Sequence, residues 1–296
     1  MKKQVEFKPT LTNVIQRKKL ASSIMKNAFR IGNKLIAWIP VELLNIQPYQ
    51  RNRQKHVNKI AENWDDAKCN VLLVSYDEVN GCFNIMDGQH RGIAARMRGV
   101  EYLVCEIFQD MTTSKEASLF VGQNENTKKL TPFDTYRANQ FIEGEEETEL
   151  SKLDKRIAAV CKDYNVIVEK SNAKRTLKSI TEARAIMKRD GEAGLEFVFD
   201  VIQGSHWDEF KSSYAGDFMS SLGKIYFNHK DNLEEVKRCL CGFLITSTPE
   251  ELTALSNNTY PNLTRRARLD AILADIINEP EPTKPAKKKG KVTKIA

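Results

Sequence analysis

The apolar positions of this chain follow two different rhythms. Through the first half, short apolar runs separated by polar turns predict strands at residues 36–41, 71–76, 82–86 and 102–108, with Asn80-Gly81 as a hairpin turn. Helices intervene. Residues 54–64 place Val57, Ile60, Ala61 and Trp64 on one face, and a helix capped by Thr112 or Thr113 aligns Ala117, Phe120, Val121 and Asn124. Pro132 opens another, with Phe133, Tyr136 and Phe141 as its apolar positions. A weak helix is expected over 13–29.

From residue 148 onward the apolar spacing is close to 3.6, over 153–164, 180–188, 194–202, 218–227, 233–244 and 263–277, with one short strand at 166–168. The acidic run Glu143-Gly144-Glu145-Glu146-Glu147 marks a boundary between the two regimes. The expected organisation is a basic N-terminal arm (1–34), an α+β domain (35–140), an all-helical domain (148–279) and a disordered lysine-rich tail (280–296).

Charge sharpens this division. Residues 1–34 carry nine Lys/Arg against Glu6, net +8, and residues 282–296 carry six lysines and no acid, so the body 35–281 holds −7 of an overall +7. Basic ends on an acidic body point to electrostatic attachment to DNA; solubilising tails are the alternative. No apolar stretch approaches the ~20 residues needed to cross a bilayer, and the basic start lacks an apolar signal core, so a cytoplasmic location is expected. The six cysteines form no Cys-x-x-Cys pair and read as buried, reduced thiols.

One segment stands out chemically: Asn84-Ile85-Met86-Asp87-Gly88-Gln89-His90-Arg91, followed by Ile93, Ala94 and Met97 at helical spacing. An apolar strand that ends in Asp-Gly and runs into a helix directs backbone N–H groups and Arg91 at one spot, an arrangement suited to phosphate. Gly88 permits the turn and a close ligand approach. His90 can bond a phosphate oxygen or move a proton, and Asp87 can cap the helix, hold a metal ion or act as a base. Gln89 offers polar contacts only. His56, His206 and His229 lack companions at ligand spacing and read as structural, and no three-ligand metal site is visible. The cations at 174–189 read as a solvated helix face or a strip along a phosphate backbone.

The same residues carry a resemblance. Asp87-Gly88-Gln89-His90-Arg91 resembles the ParB/sulfiredoxin superfamily in its Asp-Gly-Gln-His-Arg branch. Residues 39–44 with Gln47-Pro48-Tyr49-Gln50-Arg51 resemble the first ParB box. Residues 116–124 with Leu130-Thr131-Pro132 resemble the third. Order and spacing match over roughly residues 35–140. The resemblance implies a mixed sheet with helices, and a phosphate site formed by Gly88, Gln89 and Arg91 with Gln50 and Arg51. Asn124, Glu125 and Asn126 would be added from the third box, and Mg²⁺ would accompany a nucleoside triphosphate.

Sulfiredoxin carries its reactive cysteine where this chain has Gln89, so cysteine chemistry is excluded. ParB proteins have Gly-Glu-Arg-Arg at this place; Gly88 and Arg91 match, whereas Gln89 and His90 do not, which loosens the tie to CTP. In the third box, the ungapped Glu-Asn pair falls on Gln123-Asn124 and the Arg on Thr127; a short gap would bring in Glu125-Asn126 and Lys128. The expected function is a ParB-like, DNA-associated protein that binds a nucleoside triphosphate, with hydrolysis left open. Phosphoryl transfer to a hydroxyl acceptor is the next reading, with Asp87 or His90 as base. A nuclease and a non-catalytic DNA-binding module come after it. A homodimer is an admissible arrangement, and a phage or mobile-element origin is common among such relatives.

Overall fold

Residues 102–108 alternate side chains strictly between two environments, and this strand organises the first half of the molecule. A computed structural model describes residues 7–50, 56–125 and 130–278, and the chain divides into two units, Met1–Lys152 and Leu153–Ala296. The first unit contains α1 (Val14–Asn27), β1 (Phe29–Ile31), β2 (Lys34–Pro40), β3 (Leu44–Asn45), α2 (Val57–Glu62), β4 (Leu72–Asp77) and β5 (Cys82–Asp87). They are followed by α3 (Gln89–Arg98), β6 (Tyr102–Phe108), α4 (Thr113–Glu125) and α5 (Pro132–Asn139). The strands form one mixed sheet in the order β1-β2-β6-β4-β5-β3. β6 pairs antiparallel with β2 and parallel with β4, and β5 pairs antiparallel with β4 and parallel with β3.

Strand periodicity explains the layering. Leu35, Ala37 and Ile39 share a face with Leu103, Cys105, Ile107, Val74 and Ile85, and this face is the main core. α1 covers it through buried Ala21, with Leu20 and Ile24 beside it. The opposite face is covered by α4 and α5 over β4 and β5, where Tyr49, Ala117, Phe120, Ala138 and Ile142 form a second cluster.

The N-terminal segment is therefore not an arm from Phe7 onward. Phe7 is buried in the main core, its ring lies 3.5 Å from the Arg96 guanidinium, and Arg96 donates to the Lys8 carbonyl at 2.8 Å. Burying a Phe contributes about 1.5–3 kcal/mol, and an uncovered sheet face accounts for why scattered apolar residues in a basic segment fold onto it.

The second unit is helical, continuing α6 (Glu149–Asp163) with α7 (Ile180–Gly204), α8 (Gly216–Asn228), α9 (Leu233–Leu244), α10 (Pro249–Thr259) and α11 (Arg265–Asn278). It is not wholly so. The strand expected near 166–168 is β7 (Ile167–Val168), and it pairs in parallel with β8 (Thr176–Leu177). The two helices expected over 180–188 and 194–202 are both present within α7, separated at Gly191, whose non-helical φ of 72° is open to glycine. α10 was not expected; Thr248 and Glu251 form its capping box. The division falls within α6, after the acidic run, which itself forms a short 3-10 turn at Gly144–Glu146. The lysine-rich tail lies outside the described residues. Architecturally the chain is α+β with a helical C-terminal region.

All six cysteines are free thiols, and burial pushes those of Cys82, Cys105 and Cys161 up to about 12, which makes them inert. Among the described residues no helix is long and apolar enough to cross a membrane.

Candidate functional site

β5 delivers the Asp87 turn through an irregularity. Its register with β4 shifts between Leu73 and Val74, so that Leu73 faces Asp87 while Val74 faces Ile85. Such a bulge re-aims the strand end. Gly88 then takes φ 92° and ψ 18° and becomes the N-cap of α3, with no side chain capping the helix. Its carbonyl accepts from Gly92 N at 3.0 Å, the first turn of the helical ladder. The N–H groups of the first turn, before Gly92, have no intrahelical acceptor, as in any α-helix.

Arg91 lies back across this glycine. It donates to the Asn70 carbonyl, to the Val71 carbonyl at 3.4 Å and to Asp87 Oδ2 at 3.4 Å. A Cβ at Gly88 would sit 2.8 Å from Leu72 Cγ and 2.9 Å from Arg91 Nη2. Glycine is thus required twice, by its φ and by the arginine above it. The three contacts do not use the guanidinium's Nε–H or its second Nη2–H. The Asp87 carboxylate is 63% exposed, so its pair with Arg91 contributes little to stability. Asp87 does not cap α3: it precedes the N-cap.

Gln50 is placed differently from the expectation. It is buried, and its amide donates to the Ile85 carbonyl and, at 3.4 Å, to that of Met86. It braces the end of β5, and its amide hydrogens face protein carbonyls. Arg137 of α5 fixes the same turn from outside by donating to the Pro48 carbonyl at 2.8 Å.

Beneath this brace lies a buried polar network. Tyr49 donates to Glu116 Oε2 at 3.2 Å, Asn84 to Oε1 at 3.2 Å, and the Ser75 hydroxyl to Oε1 as well. Asn45 donates to Asn84 Oδ1 at 2.8 Å. Burial pushes the Glu116 carboxyl above its ordinary value of 4.5, and the three donors oppose that shift. Burial and the adjacent Glu116 carboxylate raise Tyr49. Glu116 was missed as a site-supporting residue. Its signal was a glutamate directly before Ala117 and one helical turn before Phe120, on the inward side of an amphipathic helix.

Gln89 and His90 stand half-buried in the first turn of α3. His56, expected to be structural, comes up against this turn, its ring centroid 6.4 Å from that of His90 at 79°. The pairing arises because α2 packs on α3 through Val57, Ala61 and Ala94. Asn124 and Glu125 close α4, their side chains outside the described residues, as are Arg51 and Asn126 altogether. The structure therefore joins Gln50, Asp87, Gly88 and Arg91 in one constellation and adds His56 beside His90. Among the described residues no three His, Cys, Asp or Glu side chains could hold a metal ion.

The basic strip at 174–189 is not a free cationic surface. Arg184 forms two 2.7 Å bonds to the fully buried Asp154, Arg175 meets Asp208 and Glu209 at 2.8 Å, and Arg189 meets Asp190 at 2.7 Å. These cations are spent within the second unit.

No curated protein matches the chain. Among solved structures it is similar to the C-terminally truncated chromosome-partitioning protein ParB from Caulobacter crescentus, complexed with CTP-gamma-S. The identity is 17% and the TM-score 0.27, over 55% of this chain and 98% of that one. A family model described as a family of unknown function, DUF6551, matches residues 45–192, from β3 through the Asp87 turn to just past the kink in α7. Half the chain falls within that match, and the chain belongs to the DUF6551 family.

Proposed function

We propose that the first unit is a phosphate-binding domain of the ParB/sulfiredoxin kind that holds a nucleoside triphosphate at the turn Asp87–Arg91. The observation that carries this reading is the helix start itself. A left-handed glycine opens α3 with no side-chain cap, and a guanidinium lies across it with donors left over. A helix N-terminus beside an arginine fork favours phosphate oxygens. His90 and Gln89 flank the same turn. Mg²⁺ enters with the nucleotide: Asp87 supplies an exposed carboxylate, and no described three-residue ligand set competes for the ion.

Binding is tested by thermal shift with each of the four NTPs and Mg²⁺, because a ligand that binds only the folded state stabilises by mass action. The expected result is stabilisation by at least one NTP, lost in Arg91→Ala. Stabilisation that survives Arg91→Ala would overturn the site assignment, and no response to any NTP would overturn the function.

The His56–His90 pair favours a second reading, transfer of the terminal phosphoryl group to a hydroxyl acceptor, since imidazoles suit proton movement near neutral pH. NTP consumption that depends on an added acceptor and falls in His90→Gln distinguishes this from simple binding.

A further inference from the structure

Charge goes unanswered along the outward side of α1. Residues 7–41 hold seven cations and no acid, in a chain whose body 35–281 carries −7. Soluble surfaces ordinarily intersperse both signs. The second unit does so: Arg175, Arg184, Lys237 and Arg266 each meet a carboxylate. Among the described residues Lys18, Lys19, Lys26 and Arg30 meet none, and all four are exposed. Lys34, on the opposite face of the sheet, is held by Glu106 at 2.8 Å.

Helical geometry collects these cations. Leu20, Ala21 and Ile24 turn inward onto the sheet, so the opposite stripe presents exposed Lys19, Ser22, Ser23 and Lys26, with Lys18 at its margin. Lys19 and Lys26 are two turns apart, about 10 Å along the axis. Arg30 extends the stripe: it pairs with buried Leu35, so its side chain stands on the α1 side of the sheet. The support is rigid. Arg17 donates to the Asn80 carbonyl at 3.2 Å and to the Leu11 carbonyl at 3.0 Å. The β4–β5 hairpin packs so closely that a Cβ on Gly81 would lie 2.6 Å from the Lys18 backbone nitrogen. Of that hairpin's two acids, Asp77 is taken up by Asn80 and Glu78 faces solvent.

Ammonium and hydroxyl donors fixed along a rod suit a partner whose negative charge repeats along a line. Lys and Ser side chains contact phosphate backbones in this way, and duplex DNA offers a charge every ~1.7 Å of its axis. A membrane fits less well. An interfacial helix sinks its apolar side into lipid, and the apolar side of α1 is committed to its own sheet. No Arg, Asn or Gln lies between Lys19 and Lys26 to read base edges, so the contact is independent of base sequence.

We propose that the outward face of α1, with Arg30, is a docking surface for the phosphate backbone of duplex DNA. It is separate from the phosphate turn: none of its residues belongs to the Asp87–Arg91 constellation.

The test titrates the full chain into a fluorescein-labelled duplex of about 20 base pairs and follows anisotropy at several salt concentrations. Lys19→Ala/Lys26→Ala is expected to weaken binding and to reduce the slope of log K against log salt by about 2, one phosphate contact per lysine. The lysines at 284–294 contribute equally to parent and variant, so the difference isolates α1. Lys34→Ala removes a cation engaged by Glu106 and should leave the slope unchanged. Arg91→Ala should do the same, so this proposal and the nucleotide reading fail separately. Because Lys19 and Lys26 are exposed, the unfolding temperature of the double variant should stay near the parent's, which separates lost binding from lost fold. No binding by the parent, an unchanged slope in the double variant, or an equal loss per lysine in Lys34→Ala would overturn the proposal. So would phosphatidylserine vesicles that release the double variant while the duplex keeps its affinity, which would assign the face to a membrane.

Discussion

Gly88→Ala is the sharpest probe of the turn, because two separable costs meet there. The first is conformational: at φ 92° an L-residue pays about 1–2 kcal/mol. The second is steric. The new Cβ would lie 2.8 Å from Leu72 Cγ and 2.9 Å from Arg91 Nη2, so the guanidinium must leave its place and loosen its bonds to the Asn70 and Val71 carbonyls. Losing part of those charge-assisted bonds adds about 1.5–3 kcal/mol. Gly99→Ala isolates the first cost, since Gly99 has φ 69° and nothing within 4 Å of the added Cβ. Both variants gain the same small unfolded-state benefit of alanine, about 0.4–1 kcal/mol, and it cancels in the comparison. Gly88→Ala should therefore be less stable than Gly99→Ala by about 2 kcal/mol, or roughly 4–8 °C in Tm for a protein of this class. Urea melts and calorimetry on both variants read this directly. If the two lose the same stability, Arg91 does not lie over Gly88, and the account of the site as an arginine folded back on its own turn fails.

Other expectations follow from the same geometry. Gln50→Ala should cost about 1–3 kcal/mol by leaving buried β5 carbonyls unpaired, whereas Asp87→Ala, which removes a mostly exposed partner, should shift the urea midpoint very little. Asp154→Ala leaves Arg184 without its bidentate partner in the second unit, and should destabilise by about 3–5 kcal/mol in chemical denaturation. Glu116 gives a pH test. Its folded value is raised, so its contribution is fully present below the ordinary 4.5 and is lost as pH rises through the folded value. Glu116→Gln removes this dependence, and its stability relative to the parent should improve with rising pH above 4.5, as equilibrium urea melts at several pH values would show.

The legible parts of this chain were those written in local pattern. Short apolar runs at 102–108 and 82–86 between turn residues identified β6 and β5, and Asp87-Gly88 announced the strand–turn–helix because it closes an apolar run with a glycine able to take positive φ. What stayed hidden depends on distant partners. Gln50 looked like a ligand contact beside a Pro-Tyr turn, yet the chain folds it under β5, where two carbonyls need a donor. His56 showed no neighbour in sequence because its neighbour arrives through the packing of α2 on α3. Arg184 looked like surface charge because Asp154 is 30 residues away. The N-terminal segment was read by its lysines, while its fate was decided by Phe7 and Ala21, which a bare sheet face recruits.

The brace around Asp87–Arg91 bears on how such a site would act. A phosphate-binding turn works best when its donors are already oriented, since ordering them on binding would consume affinity. Here Gln50 holds the β5 carbonyls, Arg137 holds the Pro48 turn, and Tyr49 runs from that turn to a buried carboxylate that Ser75 and Asn84 also grip. None of these side chains needs to touch a ligand. Glu116 is thus a positioning residue for the Tyr49-Gln50 turn, and Glu116→Ala should leave Tyr49, Ser75 and Asn84 without an acceptor and loosen the strand end above them. Its effect on nucleotide stabilisation should be partial and should be restored substantially in Glu116→Gln, which keeps an oxygen for Ser75 and Asn84. Arg91→Ala should abolish the same stabilisation outright. A Glu116→Gln variant as impaired as Arg91→Ala would mean that the carboxylate charge, and not the scaffold it anchors, sets up the site.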